Sequence, residues 1–283
     1  MSHSGIRPSP IAGLWYESHP IKLAENIDRY LDDAQLPELH GKVMAIMAPH
    51  AGHIYSGEVA GYAFATVRGS SPDLVVIVGP MHQPYSGSIL VSSHEAYSTP
   101  LGDIPINKGL LDQLRSTLQE DFNTILTLIE RDKEHSIEIV LPFLQKALQG
   151  DWSLVPIMVR EQTPQIAENL GKAMAKVLQG KNYLLVASTD LSHFFNEKQA
   201  GKLDGKMLQQ VEAFSPEGIF SVDEKGTGFA CGMGALAAVL IAAKELEADT
   251  VRILKYDTSG AATGDHERVV GYGAAVVLKS TQK

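Results

Sequence analysis

The stretch "KVMAIMAPHAGHIYSGEVAGYAFATV" spans residues 42–67. From Val43 to Ala48 it is apolar at odd and even positions alike, so a strand built from it is covered on both faces. Pro49 ends the run, and two histidines, His50 and His53, follow in a glycine-punctuated turn. "GEVAGYAFATV" (57–67) then reads as a helix. Strand, turn and helix in this order are the repeating unit of α/β folds. The question the stretch raises is why a buried strand should end in imidazoles.

The pattern recurs along the chain. "DLVVIVG" (73–79), "WSLVPIMV" (152–159), "NYLLVAS" (182–188), "TVRILKY" (250–256) and "VVGYGAAVVL" (269–278) are further apolar strands. Helices are expected between them, over 136–150 with Gly150 as its stop and over 163–180 with Thr163 as N-cap, Pro164 at the first position and Gly180 beyond the end. Ser215-Pro216 opens another, and "GMGALAAVLIAAKELEA" (232–248) is a long buried one. The segment 86–107 differs, with period-two character and Pro/Gly turns, and predicts a β insertion at the sheet edge. The expected architecture is a single α/β domain over 1–283, a central mixed or parallel sheet flanked by helices.

Composition narrows the function. The chain has 283 residues, 44% hydrophobic and 20% charged, with a net charge of −9 and no basic cluster. General nucleic-acid binding needs a positive face, so it is set aside. The single cysteine, Cys231, excludes an internal disulfide framework and a Cys-rich zinc module. No signal peptide is read at the start, and the longest apolar run, 235–243, is far short of the roughly 20 residues that cross a bilayer. The expected location is cytoplasmic.

Three of the apolar strands run out into histidine: "MAPHAG" supplies His50, "VIVGPMH" supplies His82, and "LLVASTDLSH" supplies Asp190 and His193. Each alone reads as a polar loop residue. Parallel strands, however, share one carboxyl edge, where ligands bind in open α/β sheets. Cys231 sits ahead of the long apolar helix, where the macrodipole favours thiolate, although a free cysteine also packs as a small hydrophobe. In "RDKEHSIEIVLPFLQ" (131–145), Glu134 and His135 are either helix-capping groups or a proton relay that orients a ligand histidine. No GxSxG elbow, phosphate-binding Gly-rich loop or HExxH zinc motif is present.

"APHAG", "GPMH", "EHSIEIVLPFLQ", "STDLSH" and "CG" occur in an order and spacing by which the chain is identified as a member of the Memo family, also called AmmeMemoRadiSam system protein B. The resemblance extends from "AGLWYES" (12–18) to "GYGAAVVL" (271–278). It implies a fold similar to LigB-type class III extradiol dioxygenases, non-haem Fe(II) enzymes that place two histidines and a glutamate on iron. Carried over, His50 and His82 match the two histidine ligands, Cys231 the third ligand, and His193 the acid–base histidine, with Asp190 beside it. A thiolate in place of the carboxylate shifts preference toward Cu(I) or another iron chemistry, and zinc also suits the set. His53, His94 and His266 match no ligand position and are read as structural or accessory.

The implied function is a metal-dependent, dioxygenase-like oxidoreductase acting on a phenolic or catecholic compound or a modified tyrosine. The system name implies radical-SAM and AMMECR1-type partners. A non-catalytic (phospho)peptide-binding module and a zinc-dependent hydrolase are the alternative readings.

Overall fold

The computed structural model describes residues 5–281, so the outermost residues of the expected 1–283 span lie outside the described part. Its strands are β1 (Ile6–Arg7), β2 (Lys42–Ala48), β3 (Leu74–Pro80), β4 (Ile89–Ser92), β5 (Ala96–Thr99), β6 (Gly102–Pro105), β7 (Leu126–Ile129), β8 (Ser153–Val159), β9 (Tyr183–Ser188), β10 (His193–Phe195), β11 (Thr250–Thr258) and β12 (Val269–Lys279). Nine form a mixed sheet in the order β10-β12-β2-β9-β3-β8-β4-β7, with β11 paired to β12. At its centre β2, β9, β3 and β8 run parallel, Ala48 lying beside Ser188 and Val78 beside Ala187. The three strands that end in His50, His82 and Asp190 are therefore immediate neighbours, and their loops meet.

The helices are α1 (Pro20–Asp32), α2 (His53–Ala65), α3 (Lys108–Phe122), α4 (His135–Glu138), α5 (Leu141–Ala147), α6 (Pro164–Leu178), α7 (Glu197–Glu212), α8 (Pro216–Glu224), α9 (Met233–Glu245) and α10 (Gly260–Thr263). One group, α3, α6 and α9, packs together and meets β2, β3 and β9 through α9. A second, α1, α2 and α5, covers β2, β11 and β12 through α2. Two layers are what strands apolar on both faces require, and the buried side chains of sheet and helices form one continuous core. Helix α9 is buried almost all round, from Gly234 to Leu240 and again at Ala242 and Ala243. It lies so close to α6 that a Cβ on Gly171 would come within 2.7 Å of the Ile241 side chain.

Three expectations need correction. The helix over 57–67 begins earlier, at His53, because Gly52 is its N-cap and the Tyr55 and Ser56 amides already donate to the Gly52 carbonyl. The helix over 136–150 is two short ones, α4 and α5: Pro142 has no N–H to give Glu138, so the ladder breaks between them. The β insertion divides. Strand β4 joins the main sheet, antiparallel to β8, whereas β5 and β6 form a separate three-stranded sheet with β1.

That small sheet carries a buried charge cluster that the sequence does not advertise. Arg7 is fully buried; it donates from Nη1 to Glu138 Oε2 (2.6 Å) and from Nη2 to the Glu134 carbonyl (2.7 Å). Its Nε lies 2.9 Å from Asp132 Oδ2, and its guanidinium sits over the Tyr97 ring at 4.6 Å. Tyr97 donates to Asp132, and Tyr16 donates to Glu138 Oε1 at 2.9 Å. Burial works against the charge on Arg7, but Tyr97, Asp132 and Glu138 raise its pKa above the ordinary value. Removing one partner of such a group leaves the others charged and unpaired, which costs more than the group contributed. Arg7→Met is expected to lose about 3–5 kcal/mol of stability in urea denaturation. The triple variant R7M/D132N/E138Q is expected to regain most of that loss, since no lone charge remains.

Candidate metal centre

His50 leaves β2 just beyond Pro49. Its backbone N–H donates to Asp190 Oδ1 (2.8 Å), which joins the β2 and β9 loops. Its Nδ1 lies 3.0 Å from Ser188 Oγ, and Ser188 Oγ itself donates to the Ser136 carbonyl at 2.6 Å. The only hydroxyl hydrogen of Ser188 is thereby spent, so Nδ1 must be the donor and Nε2 carries the lone pair. Burial, with His135 and His82 nearby, holds the His50 pKa well below its usual value and keeps the ring neutral.

Glu134 orients the other two imidazoles. Its carboxylate accepts the His82 amide (2.6 Å) and His82 Nδ1 (2.9 Å), and it lies 3.2 Å from His135 Nδ1. It also caps α4, accepting from the His135 and Ser136 amides at 2.9 and 3.0 Å. The two readings of Glu134, helix cap and orienting group, are thus one arrangement. Burial alone would raise its pKa, but the His82 hydrogen bond, His135 and the capping amides bring it down to about 2. For His135, burial lowers the pKa to about 4 against the pull of Glu134.

With their Nδ1 atoms turned to Glu134, His82 and His135 offer Nε2. One ring nitrogen from each of His50, His82 and His135 lies within 4.8 Å of the other two. The His82 and His135 rings stack at 4.6 Å, and Trp15 closes the far side of His135 at 4.4 Å. Three imidazole nitrogens this close together suit the donor set of a transition-metal ion.

Cys231 approaches from beside His50. Its Sγ is 3.2 Å from His50 Nε2 and accepts the Asp190 amide at 3.2 Å. Because Nε2 carries a lone pair, the thiol is the donor in that contact. Burial first, then the Asp190 carboxylate, raise the Cys231 pKa, against the hydrogen bonds from the Asp190 amide and Thr189. Asp190 is itself pushed up to about 7 by burial, in spite of the amides of His50 and Ala51.

His193 donates from Nδ1 to the Leu191 carbonyl (2.9 Å), which leaves its Nε2 free in the same cleft, and its pKa is lowered by desolvation first and His82 next. Asp204, a residue the sequence reading missed, holds this loop. It accepts from the Ser192 amide (2.9 Å) and from Tyr256 Oη (2.8 Å). The cleft above these groups has a volume of about 890 Å³. His53 stays out of the cluster's hydrogen bonding: its Nε2 donates to the Ile139 carbonyl at 2.9 Å and its ring stacks on Tyr16. His94 contacts Ser92, and His266 pairs with Glu197. The sequence-predicted residues His50, His82, Glu134, His135, Asp190, His193 and Cys231 are otherwise brought together. Ser188 and Trp15 complete the surroundings, and only the position of Ser188 at the end of an apolar strand could have signalled a role.

The profile of the Memo-like protein family matches residues 7–276. The chain belongs to the Memo-like family. A MEMO1 family protein of Thermotoga neapolitana is 36% identical over 96% of this chain and 99% of the relative, and one of Pyrobaculum aerophilum is 31% identical over 97% and 99%. Among solved structures, an uncharacterized protein of Escherichia coli K12 superposes with a TM-score of 0.52 at 15% identity, covering 83% of this Memo-like chain and all of that one. That likeness supports the α/β fold. Among the described residues no helix is long and apolar enough to cross a membrane.

Gly271 of β12 lies against Asp204, and a Cβ there would overlap Oδ2. Gly271→Ala is expected to cost about 1–3 kcal/mol by overpacking. In an Asp204→Ala background the same change is expected to cost much less, so a double-mutant cycle in urea should show strong coupling.

Proposed function

We propose that this Memo-like protein binds one transition-metal ion, non-haem iron or copper, and acts as a dioxygenase-like oxidoreductase on a phenolic or catecholic compound or a modified tyrosine. The observation that supports this most is the tautomer arrangement. His50 and His82 hydrogen-bond through Nδ1 to Ser188 Oγ and Glu134, His135 Nδ1 lies 3.2 Å from Glu134, and one ring nitrogen of each histidine lies within 4.8 Å of the other two. Such outward partners orient ligand histidines and raise their basicity.

His50 and His82 hold the metal in this reading, with His135 as third ligand and Cys231 in reach of His50 as a further one. A metal held there supplies Lewis acidity and one-electron chemistry toward oxygen and a phenol. Cys231 enters the set only after losing the proton it now gives to His50 Nε2, which makes its participation favour softer ions such as Cu(I). His193, with Nε2 unprotonated in the cleft, takes the phenolic proton. Asp190 holds the His50 backbone and lies beside Cys231 as the second proton-carrying group. A zinc-dependent hydrolase would use the same donors, and metal preference separates the two.

Anaerobic titration with Fe(II), Cu(I) and Zn(II) tests the reading. Wild-type protein is expected to take up one equivalent, and His50→Ala and His82→Ala to lose it. Glu134→Gln is expected to weaken binding by about 10–100-fold. Whichever of His135→Ala and Cys231→Ala costs more affinity names the third ligand. His193→Ala is expected to keep the metal and lose oxygen consumption with phenols. Wild-type protein that takes up none of the three ions would overturn the proposal, and zinc uptake with no oxygen consumption would favour the hydrolase.

A further inference from the structure

The metal reading accounts for the floor of the cleft and leaves its rim unexplained. Five large apolar side chains that stay exposed line this one opening: Leu14, Trp15, Ile54, Tyr55 and Phe194. Scattered exposed apolar groups are ordinary, but a ring of them round a cavity marks a ligand surface. Phe194 is the most constrained of them. Its φ is +65°, in the left-handed region that bulky residues rarely adopt, yet its side chain is not buried in return, with 62% of the residue exposed. A backbone held in that region persists only where its neighbours enforce it. Here the irregular pairing of His193 and Phe195 with β12, and the grip of Asp204 on Ser192, do so. The effect is to present the Phe194 ring to the cleft.

Arg268 lies over that ring, its guanidinium 5.5 Å from the centroid. It is the only lysine or arginine among the residues lining the cleft. Among the described residues it makes no ion pair, although the chain as a whole carries a net charge of −9. A planar guanidinium set on an aromatic face is suited to binding an anion, and among the described residues lining this cleft Arg268 alone supplies one. The carboxylates of Glu17 and Asp265 line the same cleft. Beside these two carboxylates a single guanidinium suits a monoanion better than a doubly charged phosphate.

We propose that Arg268, backed by Phe194, is the subsite for the carboxylate of an aromatic ligand whose other end reaches the imidazole cluster. What happens at that other end rests on the metal reading; the anchoring does not. Arg268 and Phe194 would then set which phenolic compounds are accepted, without contributing to metal binding.

Calorimetric titration of the full chain, with and without added Fe(II), tests this with 3-(4-hydroxyphenyl)propanoate, its carboxamide and phenyl phosphate. Wild-type protein is expected to bind the acid about tenfold more tightly than the amide, as one charge-assisted contact at a partly open site allows. In Arg268→Gln that ratio is expected to fall to about one, with amide affinity, melting temperature and metal stoichiometry unchanged, by the same contact argument. Phe194→Ala is expected to weaken acid and amide alike. Equal binding of acid and amide to wild type, no binding of either, or a preference that survives Arg268→Gln would each overturn the proposal. Tighter binding of phenyl phosphate than of the acid would overturn the carboxylate assignment. An acid preference in protein that takes up no metal would sink the metal reading alone, and metal uptake with no acid preference would sink the anchor alone.

Discussion

The buried guanidinium of Arg7 is the constraint on which the centre depends. It ties a two-residue strand near the start of the chain to the Asp132, Glu134 and Glu138 segment, more than a hundred residues away. That segment is irregular, since β7 ends at Ile129 and α4 has only four residues. Nothing in its own secondary structure would keep Glu134 and His135 still. A fully charged pair network in a dry interior has few acceptable geometries, because any displacement leaves a charge without its partner. Precision in the imidazole cluster is thus borrowed from electrostatics behind it.

A second chain of dependence runs from backbone to protonation state. The Ser136 carbonyl takes the Ser188 hydrogen, Ser188 takes the His50 Nδ1 hydrogen, and His50 Nε2 is left as an acceptor. Glu134 performs the same service for His82 from the opposite side. The parallel pairing of β2, β9 and β3 places these groups side by side, so the sheet supplies proximity and the hydrogen bonds supply orientation. Cys231, in contrast, is held by the Asp190 amide in surroundings that protonate it. The site therefore sets two kinds of group side by side, imidazoles and a thiol whose surroundings disfavour loss of its proton.

Much of this was legible in the sequence. Strands such as 42–48 and 152–159 were readable to within a residue because uninterrupted apolar runs bounded by turn residues have few other solutions. The Thr163-Pro164 start of α6 was readable because its cap is a local hydrogen bond, from the Ile166 amide to Thr163 Oγ1. Helix α7 was not, since it buries Ala200, Asp204, Met207, Leu208 and Val211 and exposes charge elsewhere, a pattern close to that of a polar loop. His50, His82 and His193 were legible as strand ends. Arg7 was not, because a lone basic residue beside Pro8 looks solvated until three-dimensional packing puts acids around it. The raised Cys231 pKa was not legible for a similar reason: the helix start is a local feature, whereas the buried Asp190 beside it is a tertiary one.

The candidate donors come from positions 50, 82 and 135, with Cys231 beside His50, and their supports from 7, 188 and 204. His82, Glu134 and His135 lie within one stretch of the chain, but His50, Ser188 and Cys231 lie outside it. Contacts of such wide sequence separation form late in folding, after loop-closure entropy has been met. During synthesis the emerging chain carries scattered histidines, and the full cluster comes together only once the strand bearing Ser188 and the loop bearing Cys231 have been made. Order of assembly thereby delays the imidazole cluster until most of the polypeptide is present.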